Sequence, residues 1–275
     1  MPRFFVPGEI EPGSIVVLDG QDARHVRRVL RLGPGDEIEM LDGTGREYRA
    51  RIASANGERV AASVLAEGRQ VCREPSVFIT ILQGLPKGDK MDEVVRKNTE
   101  IGASRIVPVI TERSVARPDP SEAAKRVERW RRIAREASKQ AGRQRVPEVF
   151  DIVGFQDSLC CVASEMRRMD HGVLFLMPWE LEGSRGIRDV LREHRGVREV
   201  LCFIGPEGGF SHDEVRQAAQ LGAITCGLGP RILRTETAGL VVCSLILYEA
   251  GEMGRVAQEG QEVRVLYSRV QGQPV

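Results

Sequence analysis

Over the first seventy residues the apolar positions come in short alternating runs broken by turn chemistry. Residues 15–18, 37–41, 48–53 and 60–65 carry the period-two pattern of half-buried strands. The turns between them are Gly33-Pro34-Gly35-Asp36 and Asp42-Gly43-Thr44-Gly45. Residues 22–31 have helical spacing instead, with Val26, Val29 and Leu30 on one side. Hairpins around one short helix predict a small β-barrel over 1–72, ended by a polar stretch that runs to Pro75. The pattern then changes. Apolar strand-like runs at 77–82, 106–110, 173–177, 200–204 and 223–228 alternate with helical segments at 89–102, 121–143, 184–195, 211–221 and 235–252. In the first helix Asp89 is the expected N-cap, with Met91, Val94, Val95 and Ile101 facing inward; Ser211 and Glu214 have capping-box spacing. Strand–helix alternation predicts an α/β domain with a parallel sheet over 73–254. A polar tail, 255–275, contains one strand-like stretch at 263–267 and receives no role.

Composition narrows the class. A chain of 275 residues fits two domains; 41% hydrophobic and 29% charged residues exclude collagen-like and wholly disordered chains. The longest apolar run, 240–248, falls well short of the ~20 residues that span a bilayer. The N-terminus lacks the apolar core of a signal peptide, so a cytoplasmic location is expected. Six cysteines without C-x-x-C spacing read as reduced and mostly buried, and four histidines without ligand spacing predict no metal. The net charge of +1 argues against a uniformly basic surface, yet it averages two clusters. Residues 117–145 hold ten basic residues against four acidic ones, and Arg24, Arg27, Arg28 and Arg31 flank His25 on the first helix. One cluster is ordinarily a solvated helix face. Two, one per domain, fit a split footprint on phosphates.

Three expected strand ends carry unusual loops, where ligands bind in open α/β sheets: 175–179, 203–211 and 227–237. Glycines there permit close backbone approach. Gly227 and Gly229 are not followed by a third glycine, since Ile232 stands in its place, and no P-loop occurs. Glu207 and Glu236 read either as paired acid–base carboxylates or as structural acids, Glu207 organising its loop and Glu236 facing a helix dipole. His212, in a first helical turn, reads as a solvated surface residue.

These loops also carry a resemblance. Gly205-Pro-Glu-Gly-Gly-Phe-Ser211 with Glu214, and Leu228-Gly-Pro-Arg-Ile-Leu-Arg-Thr-Glu-Thr-Ala238, resemble the RsmE family of the SPOUT superfamily, methyltransferases acting on uridine N3 in 16S ribosomal RNA. Supporting pieces are Arg3-Phe-Phe5, His25 with Val29-Leu-Arg31, Lys90-Met91, Glu100-Ile-Gly102, Glu112-Arg-Ser114 and residues 140–147. Ala141 replaces a frequent cysteine, and the tail after ~255 departs from the family. The resemblance implies a PUA-like RNA-binding barrel, then a SPOUT domain with a deep trefoil knot that forms a homodimer. It implies S-adenosyl-L-methionine held by Leu176, Met177, Gly205, Glu207, Gly208, Leu228, Gly229, Ile232, Leu233, Thr235 and Ala238. Arg231 or Arg234 would stabilise a uracil anion, with Glu236 as proton acceptor. Arg3, His25, Arg28, Arg31, Arg113, Gln140 and Arg143 would meet small-subunit ribosomal RNA, as the assembled particle. The alternatives are a non-catalytic RNA-binding assembly factor and a SPOUT enzyme acting on another RNA position.

Overall fold

The computed structural model describes residues 1–6, 8–56, 58–68, 73–168 and 172–253, which fall into two compact units, Met1–Arg73 and 74–253. Cys72, His171 and the tail 255–275, with its strand-like stretch, lie outside the described residues.

The first unit contains β1 (Arg3–Phe5), β2 (Ile15–Leu18), α1 (Gly20–Arg24), β3 (Glu37–Leu41), β4 (Glu47–Asn56) and β5 (Arg59–Glu67). Its strands pair in the order β1-β3-β4-β5-β2, antiparallel except for β1 on β3. Two register shifts, at Arg49/Ala50 and Ile52/Ser54, bend β4 and curl the sheet. Phe4, Ile38, Met40, Ile52 and Val60 then close over Ala23 and Val26. Val29, expected beside Val26 on the buried side, is 66% exposed. The cause is local: His25–Val29 winds as a π-helix, with Leu30 N–H donating to His25 C=O, and each added residue per turn rotates the following side chains out of the helical register. Arg31 follows in the left-handed region at φ +56°.

The second unit runs β6 (Phe78–Gly84), α2 (Lys90–Ile101), β7 (Arg105–Ile110), α3 (Pro120–Gln140), β8 (Glu148–Val149), β9 (Val153–Gly154), α4 (Phe155–Arg168), β10 (Leu174–Pro178), α5 (Ile187–Glu193), β11 (Glu199–Ile204), α6 (His212–Gln220), β12 (Ile224–Cys226) and α7 (Thr235–Glu249). The strands are all parallel, in the order β12-β10-β11-β6-β7-β8, with β9 also on β7. Both faces are covered, which is why these strands read as continuous apolar runs rather than alternating ones. Alternate residues take alternate faces: Leu174, Leu176, Cys202 and Ile204 pack with Ile187, Val190, Val242 and Ile246 of α5 and α7, whereas Phe175, Met177, Leu201 and Phe203 pack with α4 and α6. A further cluster joins α2 and α3 through Val94, Val95, Val127 and Trp130. Helix α4 was not among the expected elements, although Phe155, Leu159 and Val162 supply its buried stripe. Asp89 stands at the N-cap of α2 but its side chain makes no capping bond. No helix among the described residues is long and apolar enough to cross a membrane.

Candidate active site

Parallel pairing brings the carboxyl ends of β6, β7, β10, β11 and β12 to one edge of the sheet. The loop after β11 is anchored from several sides. A Cβ at Gly84 would lie 2.5 Å from Pro206 Cδ, so only glycine lets the end of β6 approach this loop. Glu207 accepts from the Lys87 amide at 3.2 Å and pairs with Lys90 Nζ at 2.7 Å. Partial burial opposes the charge on Glu207, but Lys90 and the amides of Glu207 and Lys87 outweigh it and hold the carboxyl below its ordinary range. The Lys90 ammonium is correspondingly raised, chiefly by its bond to Glu207. Arg113 Nη1 donates to Gly208 C=O at 2.9 Å. The capping box at α6 is formed on both sides, and the same Glu214 carboxylate accepts from the Glu112 amide at 2.8 Å, tying the loop after β7 to it.

The loop after β10 is tied to β12. Glu182 accepts from the Ser184 hydroxyl and amide and from the Thr225 hydroxyl, and these bonds, Ser184 hydroxyl first, hold its carboxyl down to about 2. Gly227 is pinned to Arg185 C=O and to the Ile187 amide, and a Cβ there would stand 2.9 Å from Glu182 C=O.

Beyond Gly227 the third loop is open. Among the described residues, the amides of Leu228, Gly229, Ile232 and Leu233 donate to no protein acceptor. Gly229 sits at φ +102° with open space where a Cβ would be. Ile232 is 92% exposed, with Leu228 and Leu233 half-buried and Arg231 and Arg234 exposed beside it. The loop ends at Thr235, whose hydroxyl donates to Gly205 C=O at 2.6 Å and accepts from Gln83 Nε2 at 2.8 Å. Glu236, next along α7, is buried; Oε1 lies 3.9 Å from Arg234 Nη1 and Oε2 has no partner among the described residues. Unsatisfied main-chain donors beside exposed aliphatic side chains suit a flat heteroaromatic ring with polar edges.

The structure corrects several expectations. Arg143 is 4% exposed: it pairs with Glu74 at 2.6 Å and donates to Thr99 and Ala103 C=O, so its charge is spent inside the fold. Leu176 and Met177 are buried, because β10 lies between β11 and β12 with both faces covered. The Thr235 hydroxyl accepts from Gln83 and donates to Gly205 C=O. Arg3 pairs with Glu39 at 2.8 Å and Glu47 at 3.4 Å within the barrel. The basic run on α3 is largely an ion-pair network, Arg126 with Glu122, Arg129 with Asp92, Arg131 with Asp151 and Lys139 with Glu136. His25, Arg28, Arg31, Arg113 and Gln140 are exposed, and Ala238 is half-buried. Cys202, Cys226 and Cys243 are buried, whereas Cys160 and Cys161 are exposed on α4. Among the described residues no cluster could hold a metal ion. Sequence reasoning missed Gln83 and Glu182. Gln83 had a signal, being the one amide in the apolar run Phe78-Ile-Thr-Ile-Leu-Gln-Gly84; Glu182 had none.

A parallel α/β sheet with glycine loops on successive strand ends, joined in one chain to a small β-barrel, defines the class: a two-unit α/β protein with a candidate ligand site at the carboxyl edge of its sheet. Residues 73–247 match the RNA methyltransferase domain family, and residues 18–65 match the RNA methyltransferase PUA domain. Ribosomal RNA small subunit methyltransferase E of Bacillus subtilis is 34% identical over 90% of this chain and 97% of its own. The protein of that name from Mycobacterium tuberculosis is 30% identical over 88% and 90%. The crystal structure of that methyltransferase from Neisseria gonorrhoeae, bound to S-adenosyl methionine, superposes with a TM-score of 0.78 at 33% identity, covering 90% of this chain and 97% of the other. The chain belongs to the RNA methyltransferase family that includes ribosomal RNA small subunit methyltransferase E.

Proposed function

We propose that this protein is an S-adenosyl-L-methionine-dependent methyltransferase of small-subunit (16S) ribosomal RNA whose target atom is uridine N3. The observation that carries the reading is the open main chain of residues 228–233 beside the glycine loop 205–209. Amides of Leu228, Gly229, Ile232 and Leu233 would meet an adenine edge, with Ile232 covering its face; Gly205, Glu207, Gly208 and Ala238 would complete the pocket. The cofactor supplies an electrophilic methyl group when bound. Uridine N3 must lose a weakly acidic proton before it can attack. The guanidinium of Arg231 or Arg234 stabilises the negative charge that develops on the uracil carbonyl oxygens. Glu236 accepts the proton; its buried Oε2, without a partner among the described residues, suits that role, and its Oε1 lies 3.9 Å from Arg234 Nη1.

His25, Arg28 and Arg31 of the barrel, with Arg113 and Gln140, contact RNA in the assembled small subunit, in the cytoplasm. In this reading the α/β unit carries the trefoil knot and pairs with a second copy through α7. That helix is apolar on all sides, and Tyr248 remains 69% exposed. Mass mapping of nucleosides in ribosomal RNA from cells lacking the gene tests the activity. One N3-methyluridine should disappear and return with the gene; an unchanged map rules the activity out.

A further inference from the structure

Gln83 is the last residue but one of β6 and has no exposed surface. Its Nε2 donates to Gly84 C=O at 3.0 Å and to the Thr235 hydroxyl at 2.8 Å, which in turn donates to Gly205 C=O at 2.6 Å. Its Oε1, buried, has no partner among the described residues. A buried amide left half-satisfied is a poor stabiliser, and an apolar side chain of the same length would remove the orphan acceptor. The chain of bonds gives this amide a different use. It runs from β6 through the first residue of α7 to the first residue of the loop after β11, joining three elements that are remote in sequence. Gly84 lies against Pro206 in the same place, so the backbone on both sides is already in contact. Thr235 is also where loop 228–234 ends, and the other end of that loop is held at Gly227.

We infer that Gln83 is a positioning residue: through the Thr235 hydroxyl it fixes loop 228–234 and loop 205–209 relative to one another, so that cofactor affinity depends on an amide that touches no ligand. This rests on the proposed cofactor. The relay has a direction. The hydroxyl of Thr235 serves both sides of the relay: an oxygen lone pair accepts from Gln83 while its single proton goes to Gly205 C=O, so loss of the Thr235 hydroxyl breaks both bonds.

The test uses the full-length chain and S-adenosyl-L-methionine, with calorimetric affinity, the melting midpoint without ligand and RNA affinity as readouts. Gln83→Met and Thr235→Val remove the relay at nearly constant shape, and Thr235→Ser retains the hydroxyl. The first two should bind the methyl donor ~10-fold more weakly at unchanged RNA affinity, with Thr235→Ser within about twofold of the parent. The double variant should be no weaker than either single, because one relay is broken once. Parent-like affinity in Gln83→Met, or full additivity in the double variant, overturns the inference. So does a loss in Thr235→Ser as large as in Thr235→Val. If Thr235→Val does not fold, Gln83→Met and Thr235→Ser decide. A parent chain that binds no methyl donor overturns the functional reading itself, a result distinct from a parent and variants that bind equally.

Discussion

At the scale of single residues, the structure separates arginines that hold the fold from arginines free to act on a ligand. Arg143 is bonded to Glu74 and to two carbonyl groups, all largely out of water. Truncation would leave the largely buried Glu74 carboxylate with the Gln144 and Arg145 amides but no cation, and would remove the Arg143 donor from Ala103 C=O; removing one partner of such a pair costs ~3–5 kcal/mol. Arg143→Ala should therefore lower the free energy of unfolding by about 3 kcal/mol in denaturant titration, with RNA affinity unchanged at temperatures where the variant is folded. Arg231 is the opposite case, exposed and bonded to nothing among the described residues. Arg231→Ala should leave melting and cofactor affinity intact. Single-turnover methylation should slow ~100-fold, the usual loss when a group that stabilises developing charge is removed. Equal loss of rate and affinity would refute that role. The sequence presents these two side chains alike. Arg143 follows a helix whose basic residues sum to a positive stretch, and only tertiary packing puts Glu74, sixty-nine positions earlier, within reach of it.

At the scale of elements, caps and loop anchors decide what can be tested. Ser211 caps α6 while Glu214 holds both the Ser211 and the Glu112 amides. Ser211→Ala should cost ~1 kcal/mol of stability in chemical unfolding, the usual loss of a helix cap. The carboxylate of Glu182 is lowered from 4.5 to about 2 by its bonds to Ser184 and Thr225. A carboxyl depressed in the folded state contributes stability above its unfolded value, and that contribution is lost as pH falls through its folded value. Melting midpoints should thus drop between pH 4.5 and about 2 more steeply in the parent than in Glu182→Gln. The capping box and the glycine loops were legible because their chemistry is local: a hydroxyl and a carboxylate three residues apart, or a glycine where no Cβ fits. The π-helix at His25–Val29 was not, since its residues carry the same helical spacing of apolar positions that an α-helix would. Helix α4 was passed over although its stripe of Phe155, Leu159 and Val162 was present; no Ser, Thr, Asp or Asn stands directly before it, only Gly154. The two-residue strands β8 and β9 are too short to show any period.

At the scale of the whole molecule, the near-neutral total conceals less free positive charge than the sequence suggests. Most of the positive stretch on α3 is neutralised by acids of its own unit, so the exposed cations of the barrel helix and Arg113 carry the phosphate contacts in the proposed function. Three such contacts to single-stranded RNA predict a slope of log affinity against log salt of about −2. Filter binding across a salt series checks it, and a flat response refutes phosphate contact by Arg28, Arg31 and Arg113. The open loop after β12 has one more consequence. In the proposed function its recognition surface is written in peptide groups rather than side chains, and every amino acid but proline supplies the same N–H. Substitutions at Leu228 or Ile232 can alter the grease around that surface yet leave its donors in place. An inhibitor designed to bond to those amides alone would leave drug resistance few single-codon routes of escape.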